Sequence, residues 1–341
     1  MLAVSFILLL QLFYNRYQGI TEKITFQRDI EFEGLISLPE TPGPYPAILL
    51  LHGSGGSHQQ YDKAYFRFHA NAFVDKGFAV MVYTKRGSGD NDVDYKYTSY
   101  HDLKDDALAA INYLKSRGDI DSSNIGLMGA SESGWFTPQL AQETNIRFVI
   151  NRVSSPFDVR KTILHEIRSD AKSEGYSDEE IESTIVPMTQ QIWQYYIDGA
   201  DDPEISSSSL RAGIERKLDS LHNSERFKKW FTYTKLPDYD EAYFKVRRDK
   251  YLYDPRPYLK KNNVPMLYLL AGQDSNIPTN LANEYLQKLR DIEKKNIELE
   301  VYPNSTHYMF KYGLGDGPWE GILYNDGYLE LITDWARKQL K

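Results

Sequence analysis

Short, wholly apolar runs alternate along this chain with segments of helical periodicity, and that alternation constrains the fold more than any other feature. Ala47–Gly53 (AILLLHG), Phe78–Thr84 (FAVMVYT), Ile125–Met128 and Arg147–Ser154 (RFVINRVS) read as strands buried on both faces. Helices are expected between them over Tyr61–Lys76, Asp102–Arg117 and Trp135–Ala141, the last with Pro138 tolerated near its start. The rhythm resumes with a strand at Val264–Gly272, a helix around Asn280–Lys294, a strand at Ile297–Pro303 and a last helix over Gly327–Leu340. Apolar strands separated by helices specify an α/β chain with a mostly parallel sheet covered on both faces. Ahead of them, alternation in Lys23–Ile30 and Glu31–Leu38 predicts an antiparallel hairpin, and PETPGPYP (Pro39–Pro46) a loop. Phe157–Tyr253 breaks the rhythm: it is helical in pattern, charged and aromatic, with no convincing buried strand. The expected organisation is a core over 21–156 and 254–341, interrupted by a helical insertion at 157–253.

Composition narrows the chemistry. A chain of 341 residues, 41% of them hydrophobic, can bury a full-sized core. The net charge of −8 and the lack of a basic stripe argue against nucleic acid as a partner. With no cysteine there can be no disulfide, thiolate nucleophile or Cys-ligated zinc. Leu2–Phe13 (LAVSFILLLQLF) is nearly all apolar and uncharged, suiting the h-region of a secretory signal and falling short of the ~20 residues of a membrane span. Residues 1–20 are therefore expected to be a signal peptide or membrane anchor, making the protein secreted, periplasmic or anchored at its amino terminus. The competing reading is a buried first helix or strand in a cytoplasmic protein, since no Lys or Arg precedes the run and no A-x-A-like site follows it. The sequence specifies no oligomeric state.

The stretch IGLMGASESGWFTPQLA (Ile125–Ala141) passes from strand to helix through a turn of small residues. Such a turn fits a nucleophile elbow, which lifts one hydroxyl above the carboxyl end of a sheet. The pattern G-x-S-x-G asks for glycine two places before and after the serine. Around Ser131 those places hold Gly129 and Ser133; around Ser133 they hold Ser131 and the bulky Trp135. Ser131 is the nucleophile candidate, with a departure at +2. The plainer alternative is an ordinary strand–helix turn with a serine cap.

A serine hydroxyl needs a base, and the base an orienting acid. Of seven histidines, His307 alone follows a late strand, in YPNSTHYM (Tyr302–Met309). AGQDSNIP (Ala271–Pro278) places Asp274 just past the preceding strand. The chain order Ser131, Asp274, His307 sets all three beyond parallel strands. Acyl transfer also needs oxyanion donors. The N–H of Glu132 is one; the glycine-rich loop LHGSGGS (Leu51–Ser57) offers the N–H of Ser54, with Gly55 next. A dinucleotide loop starting at Gly53 would need glycine where His58 stands, and there is no Walker lysine. His52 is expected to brace this loop, and no metal site or cofactor is implied.

The segments LLLHGSGG, GFAVMVYTKRGSGDN, DDALAAINYLKSRGDIDSSNIGLMGASESGW, YDPRPYLKKNNVPMLYLLAGQDSNIP and VYPNSTHYMF resemble α/β-hydrolases of the esterase type, related to dienelactone hydrolases and to prolyl-oligopeptidase catalytic domains. The resemblance runs from about Ile24 to the end and is strongest over Ala47–Gln142 and Tyr253–Tyr308. It implies the α/β-hydrolase fold and a Ser-His-Asp triad, without specifying a substrate. It implies a structural Arg86 paired with a carboxylate, and a helical cap at the insertion. Such enzymes commonly have Gly where Ser133 stands and often His where Ala130 stands. Trp193, Trp230 and Tyr233, with Tyr195 and Tyr196, either build an apolar substrate pocket or form the insertion's own core. Glu132 either binds an amine or faces solvent.

The expected function is hydrolysis of a small-molecule carboxylic ester through an acyl-enzyme. A serine peptidase or amidase and a thioesterase are the alternatives, and a non-catalytic binding protein of hydrolase fold the reading from another class. The stretch before the first core strand is too short for a β-propeller, which weakens an oligopeptidase reading.

Overall fold

The computed structural model describes residues 16–55, 64–89, 91, 93–309 and 324–341. Leu2–Phe13, the apolar run of the expected leader, lies outside them, as do His58 and the first three residues of the helix expected from Tyr61.

Eight strands form one sheet: β1 Ile20–Gln27, β2 Glu31–Leu38, β3 Tyr45–Leu51, β4 Ala79–Tyr83, β5 Ile120–Ala130, β6 Phe148–Arg152, β7 Met266–Ala271 and β8 Ile297–Tyr302. Their order is β1-β2-β4-β3-β5-β6-β7-β8. β1 and β2 pair antiparallel, as does β2 with β4, and every other pairing is parallel. The sheet is thus that of an α/β-hydrolase. The chain runs from β3 outward to β4, then returns past β3 to β5. Ligands in open α/β sheets sit beyond the carboxyl ends of strands at such a reversal.

Side-chain alternation explains the layers. Ile48 and Leu50 join Val80, Val82, Met128, Phe148 and Ile150 in a core with the helices Ala64–Asp75 and Tyr328–Lys338. Ala47, Leu49 and Leu51 point to the other face and are as fully buried. The helix Tyr100–Ser116 begins at a capping box, in which Ser99 and Asp102 satisfy each other's backbone N–H groups.

β5 begins at Ile120, five residues before its apolar run, because Asp121–Ser123 extend it as a polar strand. Pro138 is the sixth residue of the helix Ser133–Glu143, deeper than the helix start assigned from sequence. Its missing N–H would leave the Gly134 carbonyl bare, and the Thr137 hydroxyl donates to that carbonyl at 3.4 Å instead.

Arg86 pairs as its motif implied. Its Nε donates to Asp106 Oδ2 at 3.0 Å and Nη2 to Oδ1 at 2.8 Å, while Arg28 Nη1 adds a 2.7 Å contact to Oδ1. The Asp106 side chain is fully buried. Asp106→Ala removes the buried carboxylate shared by Arg86 and Arg28, leaving Arg86 its contact to the half-exposed Asp29, and is expected to cost about 3–5 kcal/mol, read as a lower urea midpoint. A loss within the few tenths typical of surface changes would make this pair incidental.

The chain divides into two compact units, 1–157 with 254–341, and 158–253. Phe157 belongs to the first: its carbonyl accepts from Trp135 Nε1 at 3.0 Å. The second unit is helical, with its main helices at Val159–Ser173, Val186–Asp201, Ser209–His222 and Glu241–Leu252. Its core gathers Ile185, Tyr195, Leu218 and Phe244, all essentially without exposure. Among the described residues, no helix is long and apolar enough to cross a membrane.

Candidate active site

The turn after β5 is built as an elbow. Ser131 has φ of +52°, a left-handed conformation that a non-glycine residue adopts only when its surroundings impose it. The Ser131 N–H donates to the Arg152 carbonyl at 3.0 Å, and Gly134 N–H to the Ser131 carbonyl at 3.0 Å. The glycine that the turn requires for close approach is Gly134: a Cβ there would lie 2.1 Å from Ser154 Cβ and Oγ. Position 133 instead tolerates a serine, because Ser133 turns its hydroxyl inward. Its Oγ accepts the Ala130 N–H at 2.7 Å and is fully buried. Ser133 supports the turn.

Gly134→Ala is expected to lose about 1–3 kcal/mol, the usual cost of overpacking, together with activity as the turn shifts. Adding Ser154→Gly removes the atoms struck and leaves only its Cα at 3.4 Å, so the double variant should regain stability. Failure of that recovery in thermal denaturation would place the strain elsewhere.

Three loops at the carboxyl edge meet. His307 Nε2 lies 3.0 Å from Ser131 Oγ, and His307 Nδ1 lies 2.9 and 3.0 Å from the two oxygens of Asp274. The Asp274 side chain is fully buried, and that of His307 is 19% exposed. Asp274 Oδ1 also accepts the N–H groups of Asn276 at 2.9 Å and Ile277 at 3.0 Å. A carboxylate with those donors can only accept from the imidazole, which puts the proton on Nδ1 and a lone pair on Nε2 facing the serine. This arrangement can take a proton from the hydroxyl and stabilise the imidazolium formed.

The loop after β3 lies against Ser131. A Cβ on Gly53 would sit 3.4 Å from Ser131 Cβ, and Gly55 has φ of +83°. Among the described residues, the N–H groups of Ser54 and Glu132 donate no hydrogen bond, so both remain available to an oxyanion. His52 is buried before this loop, its ring 5.7 Å from that of Tyr83 in a T-shaped contact. Burial pushes the Tyr83 hydroxyl well up, which keeps it neutral there.

Glu132 meets neither of its two expectations. It is buried, accepts from Lys85 Nζ at 3.2 Å and from the Tyr95 hydroxyl, and is open to neither solvent nor a ligand amine. Lys85 and Tyr95 were not singled out from sequence. The available signal was a lysine prolonging a buried strand in VYTKRG.

Trp193, Trp230 and Tyr233 line one cavity of about 490 Å³ inside the helical unit, with Tyr196, Tyr243 and Arg247. Trp193 is buried, its ring centroid 5.1 Å from that of Tyr251, and Tyr233 is exposed. Tyr195 faces that unit's core rather than the cavity. Among the described residues, no cluster of three or more His, Asp or Glu is placed to hold a metal ion.

The sheet order and the serine elbow define an α/β-hydrolase, and the molecule is an enzyme of the serine hydrolase class. Its sequence matches the X-Pro dipeptidyl-peptidase (S15 family) over residues 32–308, and the chain belongs to that family. It is 23% identical over 329 residues to the esterase EstD of Thermotoga maritima, covering 92% of this chain and 68% of that protein. Its fold is similar to that of an acylaminoacyl peptidase of Pyrococcus horikoshii (TM-score 0.58, 15% identity, 97% of this chain and 43% of that one). It is also similar to that of Est1E from Butyrivibrio proteoclasticus (TM-score 0.52, 15% identity, 93% and 96%).

Proposed function

We propose that this protein hydrolyses small-molecule carboxylic esters through an acyl-enzyme on Ser131. The observation carrying the proposal is the continuous relay from Ser131 Oγ through His307 to the buried Asp274. In this reading His307 takes the hydroxyl proton as the oxygen attacks the carbonyl, then returns it to the leaving alcohol. Asp274 holds the imidazole in the tautomer this needs. The oxyanion is received by the N–H groups of Glu132 and Ser54, with Gly55 beside them. Water repeats the sequence on the acyl-enzyme.

An ester is favoured over a peptide with a free amino terminus by the state of Glu132. The carboxylate next to the nucleophile is already held by Lys85 and Tyr95, so it offers no counter-ion to a substrate ammonium. The relatedness to an esterase supports the same choice. A panel of short acyl esters, aminoacyl-prolyl amides and acyl thioesters, run beside labelling by a fluorophosphonate, tests the proposal. Preferential turnover of amides would reassign the enzyme to peptidases, and an unlabelled Ser131 would remove the acyl-enzyme.

The aromatic cavity of the helical unit, with Trp193, Trp230 and Tyr233, is proposed as a site for an apolar group. Tryptophan fluorescence should report its occupation, and a Tyr233→Ala variant that binds unchanged would count against it.

For the amino terminus, an export signal or anchor within the apolar run remains the proposed reading. Arg16 and Gln18 hydrogen-bond to Asn71, and β1 starts at Ile20, which supports a boundary before Arg16 rather than at residue 20. Mass spectrometry of the mature terminus, after expression in a host that exports proteins, tests it.

A further inference from the structure

Lys85 is a fully buried lysine side chain at the carboxyl edge of the sheet that the relay does not use. It stands two residues past β4, Gly53 two past β3 and Glu132 two past β5. These strands are neighbours in the order β4-β3-β5. From the first loop the ammonium reaches the other two: Nζ donates to the Gly53 carbonyl at 2.6 Å and to Glu132 Oε2 at 3.2 Å. It also lies 4.5 Å from the centroid of the Tyr95 ring, and the Tyr95 hydroxyl donates to the other oxygen of Glu132.

We propose that Lys85 is the positioning residue of the oxyanion site, setting both of its backbone donors through one ammonium. The inference rests on the reading of Ser131 as nucleophile and of the Ser54 and Glu132 N–H groups as donors. The carbonyl of Gly53 and the N–H of Ser54 belong to one planar peptide and point in opposite directions. Fixing the carbonyl on Nζ therefore fixes where the N–H points. A cation on the carbonyl oxygen also draws charge through the peptide and strengthens its N–H as a donor, as in any polarised hydrogen-bond chain. The second bond of the same ammonium pins the side chain of Glu132, whose own N–H is the other donor. Glu132 offsets the buried charge, so the site gains polarisation without an uncompensated ion.

A purely structural alternative is that Lys85 only neutralises Glu132. Two variants separate the readings: Lys85→Met, which keeps length and removes charge, and Lys85→Met with Glu132→Gln, which leaves no buried charge unpaired and so protects the fold. Ester kinetics and the affinity for an alkyl boronic acid, whose tetrahedral adduct on serine carries the oxyanion, are measured on both. The expected result is a fall in kcat of roughly 10- to 100-fold in both variants, short of or equal to the loss of a whole donor. KM should change little, and boronate affinity should drop by a similar factor. Recovery of parental kcat in the double variant would overturn the proposal, as would a raised KM with kcat intact. The reading on which it rests is tested separately by fluorophosphonate labelling of the parent enzyme at Ser131, which neither Lys85 variant decides.

Discussion

Ser131→Ala is expected to lower kcat by a factor on the order of 10⁵–10⁶, the scale seen when Ser-His-Asp sites lose their nucleophile, and to abolish fluorophosphonate labelling. The fold should persist, because alanine keeps the Cβ and, among the described residues, the Ser131 hydroxyl bonds only to His307. Ser133→Ala should behave in the opposite way. It removes the acceptor of the Ala130 N–H at a residue with no exposure, costing about 1–3 kcal/mol as for a buried donor left unsatisfied. It should leave most of the turnover and labelling in place. The two serines are two residues apart, so this pair of variants separates chemistry from support of the turn. Labelling that survives in Ser131→Ala and disappears in Ser133→Ala would reverse the assignment.

The difference between these serines was legible before the structure because glycine spacing encodes it: a serine at the +52° position needs small neighbours on both sides. The strands were equally legible, since β3, β4 and β7 are buried on both faces and carry no polar residue to confuse the pattern. The first half of β5 was not. Asp121–Ser123 are polar, and extended polar segments carry the same signature as loops. Asp274 and His307 could be placed by chain order alone, because loops after consecutive parallel strands share one edge of the sheet.

The partners of Glu132 were beyond reach for the converse reason. Lys85 lies 47 residues away, and the contact exists only because β3 sits between β4 and β5. Strand order is a property of the whole chain, and no local pattern records it. The same holds for Gly134, whose need to be glycine comes from Ser154 on the loop after β6.

Asp274→Asn is expected to keep the fold and lower kcat by about 10⁴, the effect of a triad aspartate held in the wrong hydrogen-bonding state. The reason can be followed atom by atom. Oδ1 accepts two backbone N–H groups, from Asn276 and Ile277, so in the variant that place must be taken by the amide oxygen. The amide nitrogen then occupies the place of Oδ2, 2.9 Å from His307 Nδ1. It can only donate there, and the amide oxygen at the Oδ1 place, 3.0 Å from Nδ1, already accepts two N–H groups, so the variant favours Nδ1 as acceptor with the ring proton on Nε2. That proton faces Ser131 Oγ at 3.0 Å, where a lone pair is required. The base is present, correctly placed and in the wrong tautomer. Asp274→Ala differs in kind: it strands the two N–H groups of the loop and should also reduce stability by about 1–3 kcal/mol. Thermal denaturation and steady-state kinetics on both variants check the argument. Near-parental kcat in Asp274→Asn with an unchanged melting temperature would mean that another acid orients His307.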